Sequence, residues 1–245
     1  MQVLEALADA RGPLSLAGLS TLLELPKTSA MHLLRALEAA GYIRRTAGGF
    51  ELGQASVRLA AKIGPGKDLD AAVREVLQDL LAATQETILL GTFTEDRHSA
   101  IYTLRLPSPL AVRFAPEVGG QRPLYASGVG KLLLAYSSPA FVEDYLATTS
   151  LERVTTKTVA TKAALRKQLQ QVRRSGLALS VDEMADGGSA LAAPVFDREG
   201  EVIYALVIAA PTARLLERRA SVETALGKAA SPLSELHGGT GGQRG

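Results

Sequence analysis

The chain of 245 residues contains no cysteine, which excludes disulfides, thiolate zinc sites and cysteine nucleophiles. Its three histidines, His32, His98 and His237, are too scattered for metal-ligand spacing, so neither a metal nor a cofactor is expected. No stretch reaches the ~18 uninterrupted apolar residues of a membrane span. The N-terminus also lacks a basic region followed by a signal-type apolar run. The expected location is therefore the cytoplasm, with no membrane partner. A strong excess of one charge is missing too, the formal net charge being +2. Residues 1–67 hold eight Lys/Arg against five Asp/Glu, and the remainder nineteen against twenty. That bias suits a nucleic-acid module at the front, although solvated surface charge gives the same numbers. What the chain has in quantity is apolar material: at 47% hydrophobic residues it can fill the cores of two compact units.

Along the first sixty residues, Val3, Leu4, Leu7 and Ala8 recur at helical spacing before a break at Gly12-Pro13. Ser15 then stands as an N-cap for a short helix through Leu16, Leu19, Leu22 and Leu23, ending near Leu25-Pro26. From Thr28 or Ser29 as cap, Ala30, Leu33, Leu34 and Leu37 form a further apolar stripe, and Gly41 supplies the stop. This third helix leaves Lys27, Ser29, His32 and Arg35 on polar faces. Two short helices joined by a tight turn, the second with a slim polar N-terminal end, suit the DNA major groove. Such an end offers backbone N–H groups to phosphate and side-chain donors to base edges. The same geometry also occurs in packing units that never touch DNA. After Gly41, Tyr42-Ile43-Arg44-Arg45, a turn at 46–49 and Phe50-Glu51-Leu52-Gly53 read as a β-hairpin wing. Arg44 and Arg45 are then placed for phosphate or minor-groove contact.

The run from Leu25-Pro26-Lys27-Thr28-Ser29-Ala30-Met31-His32 through Gly41-Tyr42-Ile43, followed by Phe50-Glu51-Leu52-Gly53, resembles the winged helix-turn-helix of the IclR family of regulators. The resemblance implies a DNA-contact set of Lys27, Thr28, Ser29, Met31, His32, Arg35, Arg44 and Arg45. Met31-His32 stands where the family commonly shows His-Arg, so the operator sequence does not carry over. The family also implies dimers, often paired into tetramers. One recognition helix reaches few base pairs, and two-fold binding to a palindromic operator on double-stranded DNA multiplies the contacts.

Gly64-Pro65-Gly66 breaks the chain, and Asp68 and Asp70 follow at the start of a helix. Its stripe of Leu69, Val73, Val76, Leu77, Leu80 and Leu81 could pack on a domain of the same chain or on a second subunit. Strand and helix patterns then alternate. Strands are expected over 87–94, 100–106, 177–181, 189–196 and 202–209, and helices over 129–136, 162–174 and 215–236. The fold class is α+β, an antiparallel sheet with packed helices. The domains are 1–63, a linker helix 64–84, an effector domain 85–237 and a tail 238–245.

Gly130-Lys131 invites a phosphate-loop reading, but that motif needs Gly and Ser/Thr where this chain has Tyr125 and Leu132. Ser127 lacks the Gly-x-Ser-x-Gly elbow of a hydrolase nucleophile. The small residues from Ser127 to Gly130 could instead open a helix whose N–H groups hold a carboxylate, or serve close packing alone. The segment around it resembles the IclR-type effector domain, a GAF-like fold. So do Gly176 to Glu183, Ala192 to Asp197 and Ile208 to Pro211. The resemblance implies an effector set of Leu124, Ser127, Gly128, Val129, Asp182, Ala190, Val207 and Ala209, with Asp182 and its neighbour Glu183 favoured as loop residues. Relatives that bind small oxoacids tend to carry Cys or Ser at the strand positions, whereas Ala190, Val207 and Ala209 are apolar. An apolar lining desolvates a small hydrophilic acid without returning hydrogen bonds, so a larger, partly aromatic acid is expected. The function implied is a DNA-binding transcription regulator, not an enzyme. The alternative is a small-molecule hydrolase that uses its front domain for assembly.

Overall fold

Two compact units divide the chain, residues 1–67 and 68–245. The computed structural model describes residues 2–10, 12–53, 55, 56, 59 and 71–239. The expected break at Gly64-Pro65-Gly66, the helix start from Asp68 to Asp70 and the tail from 240 onward lie outside the described residues.

In the first unit, helices α1 (Gln2–Asp9), α2 (Leu16–Leu22) and α3 (Lys27–Ala39) precede a hairpin of β1 (Ile43–Thr46) and β2 (Gly49–Leu52). Ser15 caps α2, its hydroxyl accepting from the Gly18 N–H at 3.1 Å. α2 stops at Leu22, before the Leu25-Pro26 end that the sequence suggests, because Glu24 takes a left-handed φ of 52° and turns the chain. α3 starts at Lys27, with Pro26 at the cap position instead of Thr28 or Ser29. Pro26 has no N–H to satisfy, its φ is preset, and its carbonyl already accepts the first helical bond from Ala30 at 2.9 Å. Neither hydroxyl is needed as a cap. The core gathers Val3, Leu7, Leu19, Leu34, Ile43 and Phe50. Leu22 and Leu33, which spacing assigns to buried stripes, are 60% and 41% exposed. Leu14 fastens the hairpin by exchanging two backbone bonds with Phe50, at 2.9 and 2.8 Å.

The second unit is built on one antiparallel sheet of β3 (Thr87–Phe93), β4 (Ser99–Leu106), β5 (Gln121–Pro123), β6 (Ala178–Ala185), β7 (Gly188–Phe196) and β8 (Val202–Pro211). Its spatial order is β5-β4-β3-β8-β7-β6. Helix α4 (Ala71–Thr84) buries Val73, Leu77 and Leu80 in the same apolar cluster as Val222, Leu226 and Leu233 of α9 (Arg219–Leu236). α5 (Gly128–Tyr136), α6 (Pro139–Thr148) and α7 (Lys162–Ser175) join a second cluster with the other sheet face. With both faces covered, β7 and β8 read as continuous apolar runs in place of an alternation. α6 and β5 were not foreseen from sequence. The expected helix 215–236 is two elements, α8 (Thr212–Glu217) and α9.

Two features seat α5 on the sheet. A Cβ at Gly130 would lie 2.3 Å from the Leu124 Cα and 2.6 Å from its carbonyl oxygen, so only glycine permits this approach to rigid backbone. Beside it, the fully buried Lys131 ammonium pairs with the buried Glu183 carboxylate. It also donates to the Leu179 carbonyl at 3.2 Å and Gln168 Oε1 at 3.3 Å. All three ammonium protons thus have acceptors. Glu183 in turn accepts from the Val159 N–H at 3.4 Å, and its carbonyl takes the Thr158 hydroxyl at 2.7 Å. Burial pushes Lys131 below the usual lysine range, while attraction to Glu183 pulls the other way.

A buried pair that loses one member leaves a lone charge in the core. K131M should therefore cost about 3–5 kcal/mol in urea unfolding, whereas K131M/E183L should regain most of that loss. Equal losses in the two variants would show that the charges are not what seats α5. A second expectation concerns Tyr102, whose phenol burial pushes up to about 12 against a weaker opposing pull from Arg122. The unfolded phenol ionises near 10 and the folded one does not. Stability is therefore fully present below pH 10 and falls as pH rises toward 12, by up to about 2.7 kcal/mol from this group. Urea melts of Y102F between pH 8 and 12 should show a correspondingly smaller alkaline decline than the parent.

Candidate nucleic-acid interface and ligand site

The first turn of α3 carries Lys27, Thr28 and Ser29, all exposed. One turn on, His32 and Arg35 are exposed as well, while Met31 is half-buried and Ala30 and Leu34 face the core. Because Pro26 occupies the cap position, the Thr28 and Ser29 hydroxyls are not spent on the helix start. This end therefore presents free N–H groups, two hydroxyls and a cation on one slim tip. The wing differs from a bare pair of cations. Arg44 lies across the hairpin from Glu51 and pairs with it at 2.7 Å. Arg45 stands opposite Phe50, its guanidinium 5.7 Å from the ring centre. Arg45 is thus the wing cation without a carboxylate partner among the described residues. Three of the carboxylates of the unit, Glu5, Asp9 and Glu24, line a separate cleft with Leu14, Leu22 and Leu23.

In the second unit, sheet register brings the strand residues of the expected ligand site together. Ala190 pairs with Ala209, and Val207 pairs with Ala192 and Leu89, so these side chains share the face covered by α5. They are buried in one cluster with Leu124 and Val129. Gly128 stands against this wall, its absent Cβ 3.3 Å from the Ala190 carbonyl oxygen and 3.4 Å from the Ala190 Cβ. Ser127 caps α5. Its hydroxyl accepts from the Gly130 N–H at 3.0 Å and donates to the Pro123 carbonyl at 2.8 Å. A hydroxyl so engaged is poorly placed as a nucleophile. Lys131 N–H bonds the Ser127 carbonyl at 2.9 Å. Among the described residues, no protein oxygen accepts from the Gly128 or Val129 N–H. Two buried donors at a helix start thus remain for an acceptor.

Asp182 is brought near but not into this wall. At a φ of 56°, it turns its carboxylate to the Gly187 N–H at 3.0 Å and to the Thr212 hydroxyl, while its carbonyl accepts from Thr155 at 2.7 Å. It closes the β6–β7 turn. Sequence reasoning missed Phe114, whose ring lies so close to Gly188 that a Cβ there would sit 2.7 Å from it. Gly188 shares a strand face with Ala190, so this aromatic ring borders the apolar wall. The Gly187-Gly188 pair was the available signal, since a glycine inside a strand often marks close approach of another group. Among the described residues, no His/Cys/Asp/Glu cluster could hold a metal ion, and no helix is long and apolar enough to cross a membrane.

Two family comparisons divide the chain as the geometry does. The family described as IclR helix-turn-helix domain matches residues 1–47, and that described as Bacterial transcriptional regulator IclR C-terminal matches residues 65–235. The chain is 31% identical over 219 residues to the HTH-type transcriptional regulator KdgR of Escherichia coli, covering 89% of this chain and 82% of that one. It is 27% identical over 242 residues to the transcriptional repressor IclR of the same organism, with 98% and 88% covered. Among solved structures, an IclR homologue from Microbacterium hydrocarbonoxydans complexed with 4-hydroxybenzoate shares the fold. The TM-score is 0.77 at 24% identity, over 96% of this chain and 95% of that one. With an exposed helix-turn-helix tip, a six-stranded second unit and family matches over both, this chain belongs to the IclR family of DNA-binding transcription regulators.

Proposed function

We propose that a small, partly aromatic organic acid controls the DNA affinity of this regulator by seating its carboxylate on the start of α5. The observation that carries this reading is the pair of buried Gly128 and Val129 N–H groups without a protein acceptor among the described residues, set against apolar strands. An oxyanion there gains two charge-assisted hydrogen bonds and the positive helix end. Its ring would replace contacts among Val129, Ala190, Val207 and Ala209, with Phe114 at the border. The absence of Ser or Cys from those strand positions argues against small oxoacids, which need further donors. That the Microbacterium homologue holds 4-hydroxybenzoate supports an aromatic acid here.

DNA contact falls in this reading to Lys27, Thr28, Ser29, His32 and Arg35 of α3, with Met31 at the edge and Arg45 on the wing. Arg44 contributes less because Glu51 already holds it. A cytoplasmic dimer, or a pair of dimers, would place two such helices on half-sites a whole number of helical turns apart. The effector would act through the segment 68–84, of which α4 is the described part, by shifting a pre-existing equilibrium between arrangements of the DNA modules.

Calorimetry against a panel of acids is the direct test. Benzoate-class acids should bind, and A190L, which fills the wall, should abolish the heat. Tight binding of glyoxylate or pyruvate, with none of aromatic acids, overturns the assignment. On the DNA side, gel shifts with the upstream region of the gene at several salt concentrations should show R45A lowering affinity uniformly and reducing the logarithmic salt slope by about 1. S29A should instead alter preference among operator variants. A slope unchanged by R45A removes the wing from the interface.

A further inference from the structure

We propose that the second unit carries a separate binding cleft for an aromatic carboxylate at the C-terminal end of α5, centred on Arg97. The cleft encloses about 510 Å³, within the range of small-molecule sites. Arg97 sits in the β3–β4 turn at a φ of 57°, its N–H bonded to the Thr94 carbonyl at 2.9 Å. Its guanidinium lies 4.2 Å from the Phe93 ring centre and 5.0 Å from that of Phe141, and these two rings meet edge to face at 5.8 Å. Two aromatic faces therefore fix an exposed cation that would otherwise wander, at little cost to its hydrogen-bonding edges. Those edges are uncommitted: among the described residues, Arg97 has no carboxylate within ion-pair distance and no side-chain hydrogen bond. The neighbouring Asp96 is turned away from it into the turn, where its Oδ1 accepts from the Thr94 hydroxyl at 2.6 Å and the His98 N–H at 3.0 Å, and it makes no ion pair with Arg97.

A planar fork of donors held in place matches a carboxylate. The remaining walls define the rest of the ligand. Leu133, Tyr136, Phe141 and Val202 offer apolar and aromatic surface, which favours a flat apolar body over a bare inorganic anion. Glu201 also lines the cleft, its backbone tied into the turn with Asp197 at 2.9 and 3.0 Å and its side chain exposed. An unpaired carboxylate there penalises a ligand that carries only negative charge and rewards one bearing a hydroxyl or amino donor away from its acid group. The fitting class is thus a hydroxy- or amino-substituted aromatic acid. This cleft stands apart from the Gly128 wall at the other end of α5, so the absence of a ligand at one does not remove the contacts offered at the other.

The chain has no tryptophan, so Y136W places a single fluorescent reporter in the cleft. Titrated with 4-hydroxybenzoate, this variant of the full chain should show a saturable change in emission. Adding R97A should weaken that response about 10- to 100-fold, as expected for a lost charge-assisted bidentate contact. R97K should weaken it less, and E201Q should narrow the preference over unsubstituted benzoate. Adding A190L should leave a saturable emission change in place, at an affinity altered only as far as the substitution moves α5, because the contacts of the cleft itself are untouched. No saturable change, a change indifferent to R97A, or a change lost in A190L would each overturn the proposal. An emission shift on dilution without any acid would assign the cleft to a second copy of the chain, and would overturn it equally.

Discussion

The seating of α5 against the sheet is the constraint from which the second unit takes its shape. Gly130 lets helix backbone meet the Leu124 backbone with no side chain between them, and Lys131 reaches past it to the buried carboxylate of Glu183 on β6. The first contact fixes distance and the second fixes rotation, because an ammonium with three acceptors tolerates little turning of the helix about its axis. Their joint effect is to hold Gly128 against Ala190 on β7 and Val129 against Gly91 on β3. A helix that could slide would satisfy those N–H groups by deepening its own first turn or by admitting water. Held rigidly, it would keep two donors ready for the proposed acid, which is preorganisation in the ordinary sense. The ion pair is a poor way to gain net stability, and its value here lies in specifying one position of α5.

A comparable economy operates in the first unit. Had Thr28 or Ser29 capped α3, its hydroxyl would have been folded back onto the helix. With Pro26 in that place, the start of the helix requires no side-chain acceptor, and both hydroxyls stay on the surface beside Lys27. The wing shows the opposite balance. The cross-strand pair of Arg44 with Glu51 steadies a hairpin of two four-residue strands but removes one cation from the electrostatic field that DNA would meet. On the proposed contact set, fold and function would compete for the same charge at Arg44 and be separated at Arg45.

Much of this organisation was legible in the sequence because it rests on local signals. Helical spacing, the Ser15 cap, the Gly41 stop and the long apolar runs of β7 and β8 each report short-range physics. The errors arise where a distant partner decides. Leu22 and Leu33 fit an apolar stripe by spacing, yet only three-dimensional packing reveals that each points outward. The phosphate-loop reading of Gly130-Lys131 fails on sequence alone, but a lysine inside Val129-Gly130-Lys131-Leu132 has no local reason to be buried, so its burial could not be read there. Its reason lies at Glu183, 52 residues away. Phe114 and Arg97 sit in connecting segments with no periodicity to betray them, and their roles come from Gly188, Phe93 and Phe141. α6 escaped notice because Ser138-Pro139, its cap and first residue, reads equally well as a turn.

The two ligand assignments share α5, and this has a thermodynamic consequence. The helix has nine residues, roughly 13 Å at the usual rise, with buried side chains along most of its length. A body that short and that tightly held does not bend between its ends, so whatever displaces the N-terminal turn also displaces Leu133 and Tyr136. If a ligand seats at Gly128 as proposed and draws α5 toward β7, it would alter the width of the cleft against Phe93 and Phe141. By linkage, a ligand in the cleft would then alter affinity at Gly128 by the same factor. The sign depends on whether both ligands favour the same position of the helix. Its magnitude is bounded by the stiffness that Gly130 and the Lys131–Glu183 pair impose, since a contact that leaves α5 no second position would allow no coupling at all. If both assignments hold, the ion pair that preorganises one site would therefore also be the element that limits communication between the two.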